Sequence, residues 1–168
     1  MPIVIPAKVM PGDPIKSATT NAIIDALTAL SRMIDLTCIL AIPLGPTTIS
    51  YGERIVYTPF RDSSLGNDPT QVLGWPIPFK ARITNLIVHV TSNGLDGNTT
   101  VTLYVNESPT VLSLQIGAKA TGTFSNQVNE VVAELGSRLT VLVDTMPSSK
   151  GQISITGISM ACRMEVEE

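Results

Sequence analysis

The side chains able to do chemistry are few and widely spaced in this 168-residue chain. His89 is its single histidine. It stands between Val88 and Val90, so in an extended strand it points to the face opposite those two. A zinc site needs three or four converging ligands, and a Ser-His-Asp relay needs partners that one histidine does not define. His89 is therefore read as a structural or subunit-contact residue. Cys38 and Cys162 form neither a metal pattern nor a disulfide framework and are read as buried thiols. Both fall in expected strands near opposite ends of the chain, which leaves their proximity in the fold open. The fourteen carboxylates are spread along the chain, with no pair set among aromatics as in a sugar-cleaving cleft. Three Tyr, three Phe and one Trp are little material for a carbohydrate platform. Asp96-Gly-Asn98 matches a fragment of a calcium loop without the rest of its ligand series, and reads as a turn. Asn98-Thr-Thr100 and Asn106-Glu-Ser108 fit the glycosylation acceptor pattern but are expected to carry no sugar. No phosphate-binding glycine loop is present. The chain is expected to be no enzyme, with no cofactor and no metal.

Composition narrows the partners. A net charge of −3, with 11 Lys and Arg scattered rather than clustered, provides no electrostatic footprint for nucleic acid. No run of 18 apolar residues marks a membrane span. The N-terminal MPIVIPAKVMPGDPIK lacks the continuous apolar core of a secretory signal, so synthesis in a cytoplasm is expected. Only 15% of residues are charged while 43% are apolar, with 12 Gly and 12 Pro. That balance suits a β-rich protein with much of its surface covered by partners.

The elements that must position these groups fall into two regions. Residues 1–36 comprise a proline-punctuated arm and a helix; residues 37–168 form a β domain. The arm favours an extended, polyproline-like path, and its apolar Ile3, Ile5 and Val9 argue for docking on a partner. The helix is expected from Ser17 or Ala18 to Ile34, capped by Ser17. Ile23, Leu27, Leu30 and Ile34 make a heptad-like seam, either packed on the chain's own sheet or clustered about an oligomer axis.

Beyond the helix, short apolar runs alternate with turn residues. Thr37–Ile42 reads as a strand, and Thr48–Tyr57 as a strand pair or a bent strand. Arg61–Gly74 reads as a surface loop. The stretch from Trp75 to Tyr104 reads as a β-hairpin around the Gly/Asn/Asp cluster of residues 92–98, with Thr84, Leu86, Val88 and Val90 on one face. Val111–Ile116 is a further strand and Gly117–Asn126 a small-residue loop. Val128–Leu135 and Leu139–Val143 read as a second hairpin around Gly136-Ser137. In the last strand, Gln152–Glu165, Ile153 and Ile155 face inward, then the phase shifts at Gly157 to Ile158, Met160, Cys162 and Met164, which marks a β-bulge. These elements predict a mainly β protein: an antiparallel jelly-roll-type sandwich preceded by an arm and one short α-helix.

Pro11-Gly-Asp-Pro-Ile15 followed by Asn21-Ala-Ile-Ile-Asp-Ala-Leu27 resembles the N-terminal attachment segment of tailed-phage fibre and decoration proteins. Pro76-Ile-Pro-Phe79, Thr84-Asn-Leu86, Val101-Thr-Leu-Tyr-Val-Asn106 and Leu139-Thr-Val-Leu-Val143 are similar to phage surface domains with a tumour-necrosis-factor-like jelly roll. Two turns depart from that pattern: Asn106-Glu107 where Asn-Gly is common, and Gly136-Ser137 where Gly-Asp is. The resemblance covers residues 11–30 and 75–163. It implies a homotrimeric capsid decoration or fibre component, assembled in the host cytoplasm and placed on the virion surface. Ile23, Leu27, Leu30 and Ile34 would then serve self-association, and Ile3, Ile5 and Val9 docking on a major capsid protein or another virion protein. The alternative on the same fold is a receptor-binding tip recognising a host glycan or protein through the loops 61–74 and 117–126.

Overall fold

In the computed structural model the chain divides into two units, Met1–Leu36 and Thr37–Glu168. The structure describes Asp25 and residues 37–42, 47–59 and 66–165. Asp25 is helical and exposed; the remainder of the expected helix and the whole arm lie outside the described residues. The second unit is an antiparallel β-sandwich. Its strands are β1 (Thr37–Ile42), β2 (Thr47–Ser50), β3 (Arg54–Tyr57), β4 (Trp75–Pro76), β5 (Ala81–Asn93), β6 (Thr99–Val105), β7 (Ser108–Ile116), β8 (Gly122–Ala133), β9 (Arg138–Asp144) and β10 (Gln152–Met164).

One sheet runs β1-β10-β5-β8, with β2 also paired to β10; the other runs β3-β9-β6-β7, with β4 also paired to β9. The chain therefore changes sheet at six of its nine connections, and the two hairpins expected from sequence are not hairpins. β5 and β6 lie in different sheets, as do β8 and β9. A turn-rich cluster between two alternating segments is equally suited to an arch that carries the chain over the core, and burial decides between them. Leu95, in the middle of the cluster, is fully buried. It seats the β5–β6 arch on the core instead of capping a ladder. Gly122–Asn126 also belongs to β8, so the expected loop of residues 117–126 shrinks to its first five positions.

The local hairpin is β6–β7, closed by Asn106-Glu107 between the paired Val105 and Ser108. Both turn residues have positive φ, 49° and 68°, which is the twist-compatible turn for a two-residue loop.

The core is made by period-two alternation in which the inward phase is reset once in each long strand. In β10, Ile153 and Ile155 are buried, then Ile158, Met160 and Cys162. The register slips between Ile155 and Gly157, so the expected bulge is present. In β5 the buried set is Ala81 and Ile83, then Leu86, Val88 and Val90, with the reset at Asn85, whose φ is 56°. Thr84 therefore lies out of phase with Leu86 rather than beside it, because the extra residue turns the strand over.

The two sheets differ at their outer faces and edges. Val56 and its register partner Leu142 alternate away from the core yet are buried. Gly66 is bridged to Val56, Pro69 is buried, and β4 pairs with the start of β9. The described part of the expected surface loop, residues 66–74, is thus bridged to the edge of β3 at its start and leads into β4 at its end. On the other flank, the amides of Asn126 and Asn129 on β8 donate to the carbonyls of Ser113 (2.6 Å) and Val111 (3.0 Å) on β7. These bonds close the seam between two sheet edges that would otherwise offer unpaired backbone.

Glu107 bears the steric cost of a left-handed conformation on a residue with a Cβ. Glu107→Gly is expected to stabilise the fold by about 0.5–1 kcal/mol, read as a higher urea midpoint at unchanged slope. An unchanged or lower midpoint would show that the turn carries no such cost.

Candidate functional site

The loops at one end of the sandwich are tied into a single polar structure. Thr145, fully buried at the end of β9, is its centre. Its hydroxyl contacts the carbonyls of Ser50 (2.7 Å) and Glu53 (2.9 Å) and the amide of Glu53 (2.9 Å). Its backbone accepts from Gly52 and donates to Glu53. The β2–β3 turn is thereby fastened to the β9–β10 loop. Asp96 fastens the β5–β6 arch to the same loop: its carboxylate accepts from the Ser149 hydroxyl (2.6 Å), the Ser149 amide (2.8 Å) and the Lys150 amide (3.2 Å). Those donors, the Ser149 hydroxyl first, hold the Asp96 carboxyl down at about 2 against an ordinary 3.8.

Packing requires glycine at two points here. A Cβ on Gly97 would sit 2.5 Å from the Pro147 carbonyl oxygen, and one on Gly151, whose φ is +93°, would sit 2.1 Å from that of Gly94. Asn93 extends the connection by donating to the carbonyls of Gly117 and Ala120, both at 3.1 Å.

Beside this end lies an open groove of about 530 Å³ lined by Gly52, Glu53, Arg54, Ile55, Asn67, Asp68 and Met146. Its polar groups are held from behind. Glu53 accepts from the Ser50 amide at 2.9 Å, and Arg54 pairs with Asp144 at 3.3 Å. Asp68 accepts from the amide (2.9 Å) and hydroxyl (2.8 Å) of Thr70, and those bonds lower its pKa, the backbone amide first. The Tyr57 hydroxyl is buried with no hydrogen-bond partner among the described residues. Burial first, and the nearby Glu53 charge second, push it up to about 12. Met146 is 57% exposed and Tyr51, next to Gly52 in the same turn, 52%.

This arrangement offers hydrogen-bond acceptors, one guanidinium, an amide and apolar patches. It lacks a nucleophile set against a base, and among the described residues no group of three His, Cys, Asp or Glu is placed to hold a metal. Of the sequence-predicted site residues, Ile3, Ile5, Val9, Ile23, Leu27, Leu30 and Ile34 lie outside the described residues. His89 is exposed on the outer face of its sheet, as its position between two buried valines requires, with Nδ1 3.1 Å from the Thr123 hydroxyl. Glu53, Arg54 and Met146 carried no signal in sequence. The Asp68-Pro-Thr70 turn did, since an Asp side chain turned onto an amide two residues on is a recognisable local pattern.

No family model matches this chain, and no curated protein does. Several solved structures are similar to it. The CBM36-1 domain of a multidomain xylanase from the hindgut metagenome of Trinervitermes trinervoides matches at 10% identity and a TM-score of 0.39, over 79% of this chain and 99% of that one. The Podospora anserina GH26-CBM35 β-(1,4)-mannanase matches at 13% and 0.39, over 80% and 29%. A family 35 carbohydrate binding module from Clostridium thermocellum matches at 15% and 0.35, over 68% and 97%. Likenesses this distant carry no argument about ligand or activity.

The Asp96 bonds have a pH signature. The folded carboxyl releases its proton at about 2 and the unfolded one near 3.8, so its contribution is fully present above the unfolded value and lost as pH falls from about 4 towards 2. Asp96→Ala is expected to unfold at lower urea concentration at pH 7 and to show a flatter loss of stability between pH 4 and 2 than wild type. Parallel curves would place the acid sensitivity elsewhere.

Proposed function

We propose that this chain is a non-enzymatic, self-associating structural module, in its finer form a homotrimeric capsid decoration or fibre component of a tailed phage. The arm and helix of residues 1–36 would dock on a virion protein. The observation that carries the self-associating part is the outer face of the β1-β10-β5-β8 sheet. This face bears Ile39, Ala41, Ile87, Gly157, Ser159 and Ala161, with Ile39 69% exposed. Charge is confined to one end, where Arg82 bonds Glu165 (2.8 Å) and Glu130 (2.5 Å). Around a three-fold axis each copy meets a different patch of the next, and like groups meet only near the axis, so an uncharged face there removes the repulsion that would oppose assembly. Small residues let two sheets approach closely. The phage assignment rests on the resemblance of residues 11–27 and of the strand motifs noted above.

A second reading is favoured by the groove. A receptor-binding tip would use Glu53, Asn67, Asp68 and Arg54 to hydrogen-bond a hydroxyl- or amine-bearing host ligand, with Met146 and Tyr51 as apolar contacts.

Light scattering on the full chain separates the two. Three chains per particle are expected for wild type. Ile39→Lys with Ser159→Lys is expected to reduce the mass to one chain while far-ultraviolet dichroism keeps its β signature, and Leu27→Asp with Leu30→Asp tests the helix contribution independently. A monomeric wild type, or a mass unmoved by both pairs, would overturn self-association through either surface. Binding to host cells that is lost in Glu53→Ala with Asn67→Ala would favour the receptor reading.

A further inference from the structure

We propose that Cys38 and Cys162 are a redox-responsive pair that closes into a cross-strand disulfide and fastens β1 to the central strand of its sheet. The two residues, far apart in sequence, are direct register partners on the antiparallel β1 and β10, between the pairs Thr37↔Arg163 and Ile39↔Ala161. Directly opposed residues in such a ladder have Cα atoms about 4.5–5.5 Å apart, within the about 4.4–6.8 Å that a disulfide spans. Further along the same ladder, Leu40 and Ile42 are buried with their partners Met160 and Ile158. Cys162 is 1% exposed.

The position matters because β1 is an edge strand whose ladder runs along β10, and edge strands at the end of a folded unit open at low free-energy cost. β1 is also where the chain enters the sandwich from residues 1–36. A bond there would resist peeling of the strand by any load applied through the preceding segment. Closure needs an oxidant, and a small-molecule disulfide suffices. One protein thiolate attacks a glutathione disulfide sulfur and expels one glutathione thiolate. The second protein thiolate then attacks the mixed disulfide and expels the other. The protein loses two electrons and two protons, and the oxidant becomes two thiols. A reducing cytoplasm holds the pair open and an oxidising medium closes it.

The test equilibrates the full chain in glutathione buffers of graded ratio, once under native conditions and once in concentrated urea, entering both from the unfolded state so that burial of Cys162 blocks nothing. Acid-quenched samples are read by intact mass and non-reducing peptide mapping. The native chain is expected to form an intrachain Cys38–Cys162 bond at a reduced-to-oxidised glutathione ratio at least about tenfold more reducing than the unfolded chain requires, because a fold that aligns the pair favours its closure. The oxidised protein is expected to melt roughly 5–10 °C above the reduced one, and Cys38→Ser to melt identically in both buffers. Equal ratios in the two states, a native chain that resists closure more than the unfolded one, or bonds only between chains would overturn the proposal.

Discussion

The sandwich depends on keeping one strand face apolar along two thirteen-residue strands that twist. β5 and β10 are the central members of their sheet, and β1, β2 and β8 hang from them. A strand whose side chains alternate strictly would, as sheet twist and sequence drift apart, begin to turn polar groups inward. Each central strand resets its buried phase once, at Asn85 in β5 and at the slip before Gly157 in β10. A single inserted residue exchanges the two faces, so losing either irregularity would expose half a strand of isoleucine and valine. Asn tolerates the positive φ at the first site; at the second, a Cβ on Gly157 would meet nothing within 4 Å, so the slip does not arise from crowding there.

From that constraint follows the way the molecule treats its edges. Sheet edges with open backbone groups recruit further strands. Here the β7–β8 flank is closed by the Asn126 and Asn129 amides, and the start of β9 by the two-residue β4. Residues 66–74 follow the edge of β3 through the Gly66 bridge. The outer face of the other sheet, with its charges gathered at the Arg82 end, is a surface that the described residues do not cover.

The polar end obeys a different rule. Buried hydroxyls and backbone groups there cannot reach water, so they satisfy one another, with Thr145 joining the β2–β3 turn to the β9–β10 loop, while the exposed Asp96 ties the β5–β6 arch to that same loop. The exceptions are the buried hydroxyls of Tyr57 and Thr99, without partners among the described residues. The connected loops form a rigid floor beside the groove. That rigidity is what a recognition surface needs if it is not to lose ordering entropy on binding.

Much of this was legible in the amino-acid order. Alternation located most strands and the phase change at Gly157, composition set the fold class, and the flanking valines set the outward direction of His89, because each of these is decided by neighbours within a few residues. Pairing was not legible. The same Gly/Asn/Asp chemistry serves a hairpin and an arch, so the 92–98 and 136–137 turns read as hairpins until the burial of Leu95 and the division of β5, β6, β8 and β9 between sheets showed otherwise. The groove was also hidden, since Glu53, Asp68 and Met146 converge from three separated stretches with no spacing rule among them. The sequence by itself determined which residues would face inward, through a local period of two. Only the tertiary structure decided which strand lies beside which, setting Cys38 opposite Cys162 and leaving one sheet face uncovered by the described residues, because those choices rest on how the whole apolar surface is buried.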